Sequence, residues 1–417
     1  MRRKRKVRAA ALLLALLLCA CAAPVAETEQ ARPAASPTAC PEAPAADPIN
    51  ALLRQMTLRE KVGQLFMVRP DALDPALTQT QIDDERAAGV TGLTEAMRAA
   101  LQQYPVGGIC QFGKNIEDPE QLTRFNADLQ RASRWPLLIA VDEEGGAVAR
   151  LANDPDFALP QYESAAAVGA SGDPEQAREM GRTIGGYLKT CGFTMDFAPD
   201  ADVLTNPENP VIGDRAFSQD AETVARMAAA MAQGLQEQGV LPVYKHFPGH
   251  GDTAEDSHSG IAYTWRTQEE LQACEFLPFR LVENGFSLDE LPAVMVGHIA
   301  APALGDGDVP ASLSRVIVTE WLRGKVLDGV PALVVTDSLA MGAITELYGP
   351  GDAAVGALQA GCDLLLMPDG LTEAFDAVLA AVEDGRISTE RLDESVGRIL
   401  RAKQQYAGLE LPREGER

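Results

Sequence analysis

The chain has 417 residues, 46% of them apolar, which is enough for a large core and excludes intrinsic disorder over most of its length. Acidic residues outnumber basic ones 60 to 36, and six of the basic ones fall in the first eight positions, so the chain beyond residue 20 carries −30. A surface that acidic repels phosphate backbones and anionic headgroups, which excludes nucleic-acid binding and a polybasic membrane contact.

Residues 1–20 read as an export signal, because the basic MRRKRKVR is followed by the short apolar AAALLLALLL. The next residues, Leu18-Cys19-Ala20-Cys21, resemble a bacterial lipobox, with Leu at −3 and Ala at −1. That resemblance implies that Cys21 is the lipidated first residue of the mature protein. Cys19 fits less well, since Leu18 would occupy the −1 position where a small residue is needed. The expectation is an exported protein anchored by lipid to the extracytoplasmic side of a bacterial membrane. Residues 21–47 are rich in Ala, Pro, Thr and Glu, and read as a flexible tether.

From residue 48 to about 410, apolar runs alternate with longer segments of helical period. Eight runs are continuously apolar enough for strands buried on both faces: 62–68, 106–112, 137–142, 193–198, 240–245, 293–298, 332–337 and 363–367. Amphipathic helices are predicted over 118–133, 174–190, 219–238, 267–284, 314–325, 371–384 and 388–405, several opened by Asp, Ser or Thr. Eightfold strand–helix alternation predicts an α/β fold, a (β/α)8 TIM-type barrel forming one catalytic domain over 48–410. A doubly wound open sheet would carry a Gly-rich phosphate loop after its first strand, where this chain has RPDALDPAL. Seven cysteines form no CxxC pair, and Cys110, Cys191 and Cys362 sit in or beside strand-like runs as buried free thiols; Cys40 lies in the tether and Cys274 in a helical pattern.

Polar residues end several of these strands: Asp142, Lys245, His246, His298 and Asp337. In a barrel of this class the carboxyl ends of the strands are where catalytic side chains converge. Three of the four histidines fall in KHFPGHGDTAEDSH, residues 245–258. A metal site built from His246, His250, His258, Asp252 and Asp256 is disfavoured, because Pro248 and Gly249 break the helix that zincin spacing needs. No metal or cofactor is expected. The alternative is a loop presenting an imidazole beside a carboxylate: Asp256 and His258 are two apart and face the same way if the loop is extended. Such a pair exchanges protons near neutrality, because the carboxylate favours the imidazolium.

The motifs LLRQMTLREKVGQLFMV, VGGICQF, IAVDEEGGAVAR, MDFAPDADVLTNPENPVIGDRAF, KHFPGHGDTAEDSH, MVGHI and VVTDSLAMGAI resemble, in order, those of glycoside hydrolase family 3. The resemblance is to its β-N-acetylhexosaminidase branch, typified by bacterial peptidoglycan-recycling β-N-acetylglucosaminidases, and covers residues from about 48 to 405. It implies a retaining, exo-acting enzyme on terminal β-linked N-acetylglucosamine of peptidoglycan fragments or chito-oligosaccharides, a carbohydrate-binding monomer without a C-terminal α/β sandwich domain. Carried over, Asp337 is the nucleophile, His258 the general acid/base and Asp256 its dyad partner. Asp142, Arg150, Arg215, Lys245 and His246 hold the hydroxyls of the terminal sugar. Two positions depart from the family pattern. Ala147 replaces a more common Arg, which is expected to touch packing and not chemistry, and Asp200 stands where an apolar residue is usual, which the sequence does not explain. Phosphorolysis, a β-glucosidase of the same family and an inactive glycan-binding lipoprotein are the alternatives; the last predicts loss of Asp337, Asp256 or His258, and all three are present.

Overall fold

The computed structural model describes residues 47–257, 259–281, 283–285 and 291–411. The export signal, Cys21, Cys40, the tether up to residue 46 and His258 lie outside the described residues.

Eight parallel strands form the core: β1 Phe66–Val68, β2 Gly108–Cys110, β3 Leu138–Val141, β4 Met195–Asp196, β5 Leu241–Phe247, β6 Ala293–Val296, β7 Leu333–Thr336 and β8 Leu365–Leu366. They lie side by side in the order β7-β6-β5-β4-β3-β2-β1-β8. A bridge between Val335 and Leu364, with Thr336 N–H donating to Leu364 C=O at 3.0 Å, brings β7 back to β8 and closes the sheet into a (β/α)8 barrel. Every residue of these strands is buried, as the unbroken apolar runs require.

Three segments differ from the sequence expectation, each for a local reason. The run 62–68 is strand only over its last three residues, because Leu58–Gln64 is a helix. Thr57 and Glu60 form a capping box, with Glu60 N–H on Thr57 Oγ1 at 3.2 Å and Thr57 N–H on Glu60 Oε2 at 2.8 Å. The segment 267–284 is helical only over Gln268–Ala273, then a 3-10 turn at Leu277–Phe279, where Pro278 lacks the N–H a continuing helix needs. Residues Val316–Val326 wind as a π-helix rather than an α-helix. The helices Pro119–Ala132, Pro174–Thr190, Ala221–Glu237, Leu371–Glu383 and Thr389–Tyr406 lie where the periodicity places them.

Pro174–Thr190 and Ala221–Glu237 touch through glycine: a Cβ on Gly181 would lie 2.1 Å from Met231 C=O, and one on Gly234 2.2 Å from Arg178 C=O. That approach lets the helices flanking β4 sit close together. Cys110, Cys191 and Cys362 are buried free thiols as expected, whereas Cys274 follows its short helix and is half-buried. No helix among the described residues is long and apolar enough to cross a membrane.

Candidate active site

A cavity of about 430 Å³ opens at the carboxyl ends of the strands. Its lining includes Asp142 after β3, Arg150, Arg215, Lys245 and His246 of β5, and Asp337 after β7, which is six of the eight expected site residues. Asp256 is half-buried on the loop after β5, next to Ser257, which lines the cavity.

Lys245 is the hub of an ion network. Its Nζ lies 2.7 Å from Asp142 Oδ1 and 2.6 Å from Glu144 Oε1. Glu144 in turn takes Arg215 with both oxygens, at 2.9 Å from Nε and 2.8 Å from Nη2. Burial alone would discharge Lys245, but the charges of Asp142 and Glu144 win and hold its ammonium above the ordinary range. Burial likewise opposes the Glu144 carboxylate, and Arg215 and Lys245 hold it far below the usual carboxylate range. Glu144 was not singled out from the sequence, although a signal existed. On an extended chain residues 142 and 144 face one way, so the acid two places from Asp142 faces the same cation.

Glu143, on the opposite face, positions Arg150. Its carboxylate accepts the N–H groups of Arg150 at 2.6 Å, Leu151 at 2.9 Å and Ala152 at 2.8 Å, and the Tyr187 hydroxyl at 2.8 Å. Glu143 therefore ties down the strand Val148–Ala149 and the turn after it, which place the Arg150 guanidinium 5.6 Å from the Phe112 ring centroid at the cavity wall. Ala147 is exposed at the tip of this hairpin and does not line the cavity.

His246 is buried, and its Nδ1 lies 2.7 Å from Asp202 Oδ2. Burial pushes the imidazolium down, but Asp202 more than offsets it and raises the pKa above the ordinary value. Asp202 also takes the His250 N–H at 2.6 Å; His250 itself, buried and near the His246 charge, is pushed below its ordinary value. Asp337 is half-buried, and its Oδ1 accepts the N–H of Ser338 at 2.7 Å. His298 is absorbed into the wall behind it, Nε2 on Ser338 C=O and Nδ1 on the Ser312 hydroxyl, each at 2.7 Å.

Asp200, unexplained by the sequence, lies beneath this floor. It is 2% exposed, and its Oδ2 is 3.5 Å from Arg215 Nη2. Burial and the neighbouring Asp202 charge push it up to about 7. Donor atoms of Asp200, Asp202 and His246 fall within 4.8 Å of one another, a different grouping from the one considered in the sequence. These donors are already engaged: His246 on Asp202, the Asp202 N–H on Asp200 Oδ1 at 2.9 Å, and Arg215 on Asp200.

A barrel alone fixes no chemistry. The comparisons with known proteins supply the family. Residues 57–402 match the glycosyl hydrolase family 3 N terminal domain. The chain belongs to glycoside hydrolase family 3. It is 36% identical over 329 residues to beta-hexosaminidase LpqI of Mycobacterium tuberculosis, spanning 75% of this chain and 80% of that protein. To beta-hexosaminidase A of Pseudoalteromonas piscicida it is 32% identical over 340 residues, 76% of this chain, and it spans only 56% of that longer protein. The solved family 3 beta-N-acetylglucosaminidase from Paenibacillus sp. str. FPU-7 superposes with a TM-score of 0.74 at 39% identity, over 87% of this chain and 65% of that one.

Proposed function

We propose that the protein is a retaining, exo-acting β-N-acetylglucosaminidase, lipid-anchored through Cys21 outside the cytoplasmic membrane, that acts on peptidoglycan fragments or chito-oligosaccharides. The observation that carries the reading is Asp337 sharing one cavity with the Asp142–Lys245–Glu144–Arg215 network and His246 in a family 3 chain. The names of the M. tuberculosis and Paenibacillus relatives support the hexosaminidase activity.

In this mechanism Asp142, Arg150, Arg215, Lys245 and His246 hold the hydroxyls of the terminal sugar. Lys245 is already paired with Asp142, and His246 with Asp202, before substrate arrives, so little reorganisation of these groups is needed on binding. An Asp337 oxygen attacks the anomeric carbon while the bond to the leaving oxygen breaks, giving a glycosyl-enzyme ester. The leaving oxygen takes its proton from His258, a role that rests on the family motif because His258 lies outside the described residues. Water then attacks the ester after giving its proton to the imidazole, and Asp337 is released.

Two measurements test the reading. The enzyme should release N-acetylglucosamine from an aryl β-N-acetylglucosaminide much faster than glucose from the matching glucoside, with the same product with or without phosphate. A sugar 1-phosphate product would instead mean phosphorolysis. Asp337→Asn should lower turnover by about three orders of magnitude or more while the protein stays folded; near-normal turnover would sink the assignment.

A further inference from the structure

The chain contains three tryptophans, and they differ sharply. Trp321 is 5% exposed with its indole N–H on Leu304 C=O at 3.3 Å, and Trp135 is half-buried with its N–H on Glu60 at 3.3 Å. Trp265 is 72% exposed. Its ring stacks on Tyr263, centroids 5.1 Å apart and planes within 4°. The two are held in register by backbone alternation. Thr264 between them is buried, its N–H on Ala300 C=O at 3.0 Å and its hydroxyl on Asp252 Oδ2 at 2.9 Å, so the flanking rings both face outward.

We propose that Tyr263 and Trp265 form a stacking platform for a pyranose ring of a neutral, β-linked N-acetylglucosamine chain, outside the cavity that takes the terminal sugar. The proposal rests on the glycosidase reading and deepens it by choosing between its two substrate classes. Placement is the first argument. The strand Ala262–Tyr263 continues the loop that carries Asp256, and it pairs with Ile299–Ala300, the residues immediately after His298. Tyr263 N–H also reaches Glu255 Oε2 on that loop at 3.4 Å. The platform is therefore built onto the loop whose Ser257 lines the cavity and onto the segment after His298, which bonds to Ser338 beside Asp337.

Chemistry is the second argument. The outer face of the stack, that of the exposed Trp265 ring backed by Tyr263, is a flat apolar surface too small for a stable protein interface, which needs roughly 800 Å² per partner. The C–H face of a pyranose fits it, with the sugar hydroxyls turned to the polar rim. That rim is acidic on its loop side: Glu255 lies beside Tyr263, and Asp252 lies under Thr264. Arg266, next to Trp265 in the chain, lies 3.0 Å from Glu275 and 3.9 Å from Asp252. In a chain of net charge −24, such a rim disfavours a carboxylate-bearing muropeptide or an anionic lipid surface, and leaves a neutral glycan.

The test uses the full chain, chito-oligosaccharides of two to six units and an aryl β-N-acetylglucosaminide. Trp265→Ala should raise the ratio of the oligosaccharide KM to the aryl-glycoside KM by about three- to tenfold, and Trp265→Phe should restore most of it. An unchanged ratio overturns the platform. In the Asp337→Asn background, chitohexaose should quench tryptophan fluorescence, and the added Trp265→Phe change should abolish the quench. Quenching by a muropeptide or by anionic vesicles, but not by chitohexaose, overturns the neutral-glycan assignment. The two readings fail separately: lack of turnover on the aryl glycoside refutes the glycosidase, while the fluorescence titration still decides the platform.

Discussion

Asp200→Asn should make the protein more stable, and increasingly so as the pH rises. The carboxyl is buried beside Asp202 and pushed up to about 7 from an ordinary 3.8. An acid whose folded pKa exceeds its unfolded one binds its proton more tightly when folded. Its contribution is therefore fully favourable below the unfolded pKa and is lost as the pH climbs through the folded value. Three pKa units at about 1.4 kcal/mol each withhold about 4 kcal/mol from the native state above pH 7. Asparagine removes that penalty and keeps an Oδ1 to accept the Asp202 N–H, while Arg215 retains both bonds to Glu144. A folded body of this size changes by about 0.8 kcal/mol per kelvin near its midpoint. The variant should thus melt about 2 °C above the parent at pH 5 and about 5 °C above it at pH 8, read by calorimetry or near-UV circular dichroism. A difference that is the same at both pH values, or a variant less stable at pH 8, would mean that Arg215 keeps Asp200 ionised throughout.

Glu143→Gln should cost about 2–3 kcal/mol of stability, because three backbone N–H groups and a tyrosine hydroxyl lose a charged acceptor. It should also raise KM several-fold more than it lowers kcat, since Arg150 is held through that loop; an unchanged KM in a destabilised variant would confine Glu143 to folding. For the anchor, a reporter fused after residues 1–47 should pellet with membranes, and Cys21→Ser should release or mislocalise it, because stable anchoring needs the acyl chains that residue would carry. Equal partitioning of both fusions would place the attachment elsewhere.

The barrel was legible because burial on both faces leaves no room for polar residues, so each strand shows as an unbroken apolar run. Boundaries were less legible. Nothing in the hydrophobicity of 62–68 separates helix from strand, and the Thr57–Glu60 box that decides it lies outside the run. Motif resemblance found Asp142, Arg150, Arg215, Lys245, His246 and Asp337, which the fold brings into one cavity from four distant stretches of chain. It passed over Glu144, whose role depends on which of three consecutive acids faces Lys245. It could flag Asp200 only as an odd residue, because its burial and its approach to Arg215 exist only once residues 200 and 215 are folded together.

That same network explains why a chain of such negative charge keeps Lys245 and Arg215 in the cavity wall, beside Arg69 and Arg150. A sugar offers only dipoles, and charged donors held in place by their own counter-ions give its hydroxyls stronger hydrogen bonds than neutral donors do. In the proposed mechanism Lys245 and Arg215 are such donors, and Asp142 and Glu144 supply the compensating charge. Burying one cation alone would cost several kcal/mol, whereas burying the linked set returns most of that cost through mutual attraction. The corollary is that truncating Lys245 or Glu144 strands an uncompensated buried charge, so lost activity in such a variant would mix weaker sugar binding with weaker folding. Under the proposed function, Arg150 is the cavity cation whose substitution should report on the sugar with least disturbance of that set. Its guanidinium lies against the Phe112 ring, outside the buried ion pairs of Lys245, and its backbone N–H, not its side chain, takes part in holding the hairpin.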